Sequence, residues 1–191
     1  FLQQHPALEI ELSSTDRRVD LVREGFDCVL RVGPLDDTEL VARPLGVMPQ
    51  FNVVSRAYAA AHGLPLQLED LAQHRLVHYV TRLGARSAGF EVEEPPGEVR
   101  NIAMAGGVTV NNSEAYLAAC LAGLGIVQVP AVSLQDLLAA GDLVEVLPQW
   151  RAPALPVTLL YARRRHVAPR VRVFMDWVAA LMGPYLQARR P

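Results

Sequence analysis

An α/β fold is the class this sequence predicts, and three observations predict it. Short β-branched apolar runs alternate with helical stretches along the whole chain, a pattern that builds sheets covered by helices. The stretch Val108 to Pro130, VTVNNSEAYLAACLAGLGIVQVP, reads as a complete strand–helix–strand unit. Of the 191 residues, 51% are hydrophobic, enough for a buried core and too many for a disordered chain.

Within that unit, Val108 to Val110 has the β-branched character of a strand. Asn111 and Asn112 follow, and each side-chain oxygen can accept from an orphan N–H at a helix start. With Asn111 as the cap, Glu114 falls at the third helical position and can reach back as in a capping box. The helix Ser113 to Leu124 is apolar almost all round, so it is expected to be buried. Gly123 and Gly125 end it, Ile126 to Val129 returns as a strand, and Pro130 closes that strand. Free N–H groups at a helix start beside a strand end also suit a carboxylate, so the asparagines read equally as plain caps or as an anion site.

The remaining elements follow in chain order. Phe1 to His5 reads as the last turn of a helix, so the sequence reads as a piece of a longer chain. Leu8 to Leu12, LEIEL, alternates like a half-wet strand. After the polar turn Ser13 to Asp16, Val19, Val22 and Phe26 mark a short helix face ending at Gly25. Cys28 to Val32 is an apolar strand, and its closeness to LEIEL predicts parallel pairing through a crossover. Gly33 and Pro34 break the chain, and Asp36, Asp37 and Thr38 make a surface turn. Strands are expected at Leu40 to Leu45, Phe51 to Val54 and Leu76 to Tyr79. Helices are expected at Ala57 to His62, ended by Gly63, and around Leu68 to His74.

Thr81 to Gly97 reads as loop with a brief strand near Phe90, and Val99 to Met104 as a strand. Val132 to Ala140 is a helix ended by Gly141, and strands follow at Leu143 to Leu147 and Val157 to Tyr161. The basic run Arg163 to His166 reads as a solvated turn. Pro169 suits a first helical position, and Val171, Phe174, Val178, Leu181 and Tyr185 line one face of a long amphipathic helix that Gly183 and Pro184 end.

Composition narrows function. The net charge of −2 argues against an electrostatic grip on nucleic acid. All eighteen basic residues are arginine. Cys28 and Cys120 sit in apolar runs as small core residues of a reducing compartment, without metal spacing or CxxC. No apolar run reaches membrane-spanning length and the first residues do not read as a signal peptide, so a cytoplasmic setting is expected. No nucleophile elbow, phosphate loop or GxGxxG occurs, so the chain does not read as an enzyme and implies no cofactor. His62, His74 and His78 read as ordinary loop and helix-end histidines rather than metal ligands.

The phrases DRRVDLVREGFDCVLRVGPL, LVARPLG, AYLAACLAGLGIVQVP, AAGDLVEVLPQW and PRVRVFMDWV, in this order and spacing, resemble the effector-binding domain of LysR-type transcriptional regulators. The resemblance covers essentially the whole chain. It implies two Rossmann-like α/β subdomains of the periplasmic-binding-protein type II kind, joined by two hinge strands near Phe51 to Ser55 and Val157 to Tyr161, with a small ligand in the cleft. Residues 1–55 with 156–191 would form the first subdomain and 56–155 the second. The family's winged helix-turn-helix and linker helix are not in this sequence, nor is the strand that precedes Phe1 in the family pattern. Gly89-Phe90 departs from a common Trp-Phe. The resemblance also implies a homodimer or homotetramer, paired through the helix Arg17 to Glu24 and the strand Leu8 to Leu12. DNA would be reached only through the helix-turn-helix domain. A periplasmic-type solute receptor is the alternative, distinguished by an export signal in place of a basic helix-turn-helix.

In open α/β sheets ligands sit at the carboxyl ends of strands. Three such ends are legible: Ser13 to Asp16, Arg31 to Pro34, and Asn111 to Ser113. By the resemblance, Ser14, Thr15 and Asp16 face the cleft together with Asn111, Asn112 and Ser113, and Pro130 and Val132 form an apolar wall. Ser14, Thr15 or Asp16 reads equally as a helix cap. Arg31, just before Gly33, is placed to meet a ligand carboxylate or to pair with Asp27 or Glu24. The expected ligand is a small anionic organic molecule, with no metal and no membrane partner.

Overall fold

The computed structural model describes residues 1–17, 19–35, 39–94, 97–163 and 167–188. The chain divides into two compact units, residues 1–48 with 155–191, and residues 49–154.

The second unit is built on a sheet. Strand β3 (Gln50–Ser55) lies between β8 (Val127–Pro130) and β9 (Leu143–Glu145), antiparallel to both. Strands β4 (His78–Tyr79) and β7 (Thr109–Val110) pair in parallel. A bridge between Leu76 and Ile126 joins the two sets, with Val77 N–H donating to Ile126 C=O at 3.0 Å and Ile126 N–H to Arg75 C=O at 2.8 Å. The order is therefore β7–β4–β8–β3–β9.

Alternation along these strands sends neighbouring residues to opposite faces. Val53, Val77 and Val127 join one core with Tyr116, Ala119 and Cys120 of α2 (Ser113–Leu121) and Leu134 beside α3 (Gln135–Ala140). Their neighbours Val54, Leu76 and Ile126 join the other, with Tyr58 of α1 (Arg56–His62), Leu71 of a 3-10 turn (Leu68–Gln73), and Phe90 and Val92 of β5 (Phe90–Glu94). Strand β5 forms an antiparallel hairpin with the outer strand β6 (Glu98–Ile102).

In the first unit, β10 (Leu155–Tyr161) lies between β1 (Val29–Val32) and β2 (Val41–Met48), antiparallel to both. Helix α4 (Pro169–Met182) has Pro169 at its first position and buries Val171, Met175, Val178 and Met182. Leu181, expected on that face, is 52% exposed, because the helix ends there and only its inner stripe is covered. Arg43 of β2 pairs with Asp176 of α4 at 2.6 Å, and the Phe1 ring packs edge-on against Phe174 at 5.2 Å.

Several expectations are corrected. Leu8 to Leu12 forms no strand, and Leu12 is 87% exposed. A period-two pattern needs a ladder partner, and the described neighbours offer none. The crossover with Cys28 to Val32 is accordingly not made, and β1 pairs antiparallel with β10 instead. Val19 to Gly25 holds a turn rather than a helix, with Glu24 N–H donating to Asp20 C=O at 2.8 Å and Phe26 N–H to Leu21 C=O at 3.0 Å. So short a segment cannot repay helix nucleation unaided. The helix expected over Val132 to Ala140 splits into a 3-10 turn (Ala131–Ser133) and α3. Strands β3 and β10 are each paired within one unit, and the chain passes between units at 48–49 and 154–155. The expected turn Asp36 to Thr38 and the Arg164 to His166 part of the basic run lie outside the described residues.

Candidate functional site

Strand β7 ends where Asn111 and Asn112 lead into α2. The cap is Asn112, whose Oδ1 accepts from Ala115 N–H at 2.8 Å. Asn111 is not the cap, so Glu114 falls at the second helical position and the expected capping box does not form. Asn111, Asn112 and Ser113 are all exposed, and α2 begins at Ser113. The helix is less enclosed than its composition suggests: Tyr116, Ala119 and Cys120 are buried, whereas Leu121 is 39% and Leu124 44% exposed. Its apolar residues exceed what one sheet face can cover. At the end of β8, Pro130 is half-buried and Val132 exposed.

A polar network that sequence pattern does not reveal links β3, β8 and β5. Asn52 is fully buried and donates to Leu147 C=O at 3.1 Å and Trp150 C=O at 2.7 Å. Gln128 Nε2 donates to Asn52 Oδ1 and to Glu91 C=O, both at 2.8 Å, and its Oε1 accepts from Glu91 N–H at 2.8 Å. One side chain thereby fastens the β5–β6 hairpin to β8. Gln128 N–H donates to the Tyr116 hydroxyl at 3.1 Å, so a phenol from α2 stands where the parallel ladder with β4 would continue. Burial pushes the Tyr116 hydroxyl above the ordinary tyrosine range and raises the Glu91 carboxyl. Cys120 donates to Val53 C=O at 3.6 Å, and burial pushes its thiol up to about 12, the behaviour of an inert core cysteine. The signal was present: an Asn inside QFNVVS and a Gln inside IVQVP interrupt apolar strands.

In the first unit, Ser14 and Thr15 are exposed, and Thr15 Oγ1 accepts from Arg17 N–H at 3.3 Å, a local turn bond and not a helix cap. Arg31 Nη1 donates to Asp16 C=O at 3.4 Å, which brings two of the expected residues together. Glu24 is not Arg31's partner. It holds Arg17 in a bidentate pair at 2.8 and 3.1 Å, which lowers the Glu24 carboxyl below the usual range. Gly33 is buried at φ 107°, a backbone region L side chains avoid, and its N–H donates to Pro156 C=O at 2.8 Å.

The histidines serve packing. The His62 and His74 rings both pack against Tyr58, with centroids 4.6 and 5.8 Å away. His78 Nδ1 is buried without a hydrogen-bond partner, and nothing in the fold explains it. Among the described residues no group of three or more His, Cys, Asp and Glu is placed to hold a metal ion, and no helix is long and apolar enough to cross a membrane. The expected site residues thus supply hydroxyls, amides, one guanidinium and the Asp16 carboxylate, a set suited to binding by hydrogen bonds.

A family model described as the LysR substrate binding domain matches residues 1–183. The chain belongs to this family. An uncharacterized HTH-type transcriptional regulator of Escherichia coli K12, YhjC, is 46% identical over 186 residues, covering 97% of this chain and 62% of that protein. The regulatory domain of CrgA, a LysR-type transcriptional regulator from Neisseria meningitidis, superposes with a TM-score of 0.81 at 28% identity, covering 95% of this chain and 88% of that one. The full-length virulence activator AphB of Vibrio cholerae gives a TM-score of 0.75 at 29% identity, covering 94% and 60%. This LysR substrate-binding domain therefore has the periplasmic-binding-protein type II-like fold of LysR-type regulatory domains. It spans about three fifths of the length of the curated relatives it matches.

Proposed function

We propose that this LysR substrate-binding domain is the effector-sensing module of a cytoplasmic transcriptional regulator, acting on DNA through a helix-turn-helix domain elsewhere in the whole protein. The match of the LysR substrate-binding model to residues 1–183 carries this reading. The matched relatives are HTH-type transcriptional regulators, which favours a regulator over a solute receptor and a binding role over turnover. A homodimer or homotetramer is the assembly such a regulator would use, since closed symmetric pairing is the common solution for soluble oligomers.

The effector in this proposal is a small organic anion. Its acid group would meet the start of α2 at Asn111, Asn112 and Ser113, where helix N–H groups favour negative charge by about 0.3–1 kcal/mol. Ser14, Thr15, Asp16, Arg31 and Gly33 would supply contacts from the first unit, and Pro130 and Val132 apolar cover. What supports this is the neutral polar character of Asn111, Asn112 and Ser113, which can pair a carboxylate without burying a second charge, and the Arg31 guanidinium among the first-unit residues. A thermal-shift screen of small organic carboxylates, followed by calorimetry on the best, tests it. Ser113→Ala and Thr15→Ala should each weaken binding by about 1 kcal/mol with the fold intact. Unchanged affinity in the double variant would sink the assignment.

A further inference from the structure

A buried tyrosine–histidine pair sits where the chain enters the sheet of the second unit. Tyr58 of α1 is 2% exposed and His74, just past the 3-10 turn, is 7% exposed. The Tyr58 hydroxyl lies 3.1 Å from His74 Nδ1 and accepts from Arg75 N–H at 2.9 Å. A backbone N–H can only donate, which leaves the hydroxyl's own proton free to point at His74 Nδ1. With His74 Nδ1 as the acceptor, a neutral ring carries its proton on Nε2. Arg75 is the next link: its C=O accepts from Ile126 N–H at 2.8 Å, in the bridge that joins β4 to β8. The approach there is close, since a Cβ on Gly125 would come within 2.6 Å of Arg75 O.

We propose that the Tyr58–His74 pair is a proton-sensitive latch, which holds residues 62–76 against the sheet at neutral pH and loosens them on acidification. When His74 takes a proton from solvent, Nδ1 becomes a donor. The Tyr58 hydroxyl must then accept from both Arg75 N–H and His74 Nδ1–H, and its own hydrogen is left without an acceptor in a buried place. The groups facing His74 set the balance. His62, whose ring packs on Tyr58, opposes a cation at His74. Asp70, on the 3-10 turn, favours the cation, but its Oδ2 already accepts from Leu66 N–H at 2.9 Å and Gln67 N–H at 3.1 Å, and its Oδ1 from Gln67 Nε2 at 3.4 Å.

Burial, with His62 adding to it, lowers His74 from the ordinary 6.5, and Asp70 opposes the shift without reversing it. The folded state therefore binds fewer protons than the unfolded state near this pH. The stabilisation is present above 6.5 and is lost as pH falls through that value towards the folded pKa. The latch acts within the second unit and does not rest on the effector site.

The test is a titration of the intact chain from about pH 8 to about pH 5, the range in which a histidine charges. Histidine nitrogen NMR should show His74 as the Nε2–H tautomer with a midpoint below 6.5. The protection factor of the Arg75 amide, which corrects for intrinsic exchange, should fall with that midpoint while that of Val54 holds. His74→Asn keeps an acceptor at the Nδ1 position and removes the titration, so its Arg75 protection should stay flat. Tyr58→Phe removes the donor to neutral His74 and should raise the histidine's midpoint. An Nδ1–H tautomer, a midpoint at or above 6.5, or unchanged acid loss in His74→Asn would each overturn the latch. The first two are read on the unaltered chain, so the test survives a variant that does not fold.

Discussion

The segments 8–12 and 126–129 are both short apolar-rich runs, and the structure treats them oppositely. Ile126 to Val129 sits between β3 and β4, with Ile126 and Val127 fully buried on opposite faces of the sheet. Leu8 to Leu12 alternates more cleanly, yet it forms no ladder and leaves Ile10 39% and Leu12 87% exposed. Alternation states which side of a strand is apolar. Whether a strand exists depends on a neighbour that takes its backbone N–H and C=O groups. The second unit supplies neighbours on both sides of β3, β4 and β8, and its apolar residues divide between two cores as a result.

The largest test of that contrast is Phe90→Ala. Phe90 is fully buried under the β5–β6 hairpin, and its loss should cost about 3–5 kcal/mol in urea unfolding, from lost transfer energy and the cavity left behind. A loss below about 1 kcal/mol would mean that the hairpin does not cover a real core. Next is Gln128→Ala, which strips partners from Glu91 N–H, Glu91 C=O and Asn52 Oδ1. Leaving buried polar groups unpaired should cost about 1–3 kcal/mol, and hydrogen exchange should rise first at Glu91. Smallest is Leu12→Ala in the first unit, which should change stability by no more than about 0.5 kcal/mol, because that side chain touches water already. A larger effect would show that Leu8 to Leu12 is covered in solution, and would remove the contrast.

Much of the second unit was legible because its signals are local. The phrase VTVNNSEAYLAACLAGLGIVQVP names its strands and helix; the structure moves the cap from Asn111 to Asn112, ends the helix at Leu121 instead of Leu124, and leaves Leu121 and Leu124 exposed. That one-residue shift matters for the site, since it dissolves the capping box with Glu114. Ala57 to His62 and the helix begun by Pro169 were read from equally local cues, a run of alanines before a glycine and a proline that suits a first turn. The candidate residues Asn111 to Ser113 were found by the same logic, a strand end meeting a helix start. The Gln128 and Asn52 network was not, because a polar residue in an apolar run does not say which backbone groups it will meet.

By itself, then, the sequence determined the α/β class, the order of most elements, and the family phrases that tie this chain to LysR substrate-binding domains. Those features rest on periodicity, caps and breakers, which act within a few residues. Tertiary structure decided the rest. It left LEIEL unpaired, set β1 beside β10 instead, gave Glu24 to Arg17 and not to Arg31, and brought Tyr58 to His74 across sixteen residues of chain. Each of these turns on which groups arrive next to one another. Backbone pairing and buried hydrogen bonds are settled by proximity in space, and spacing along the chain does not encode it.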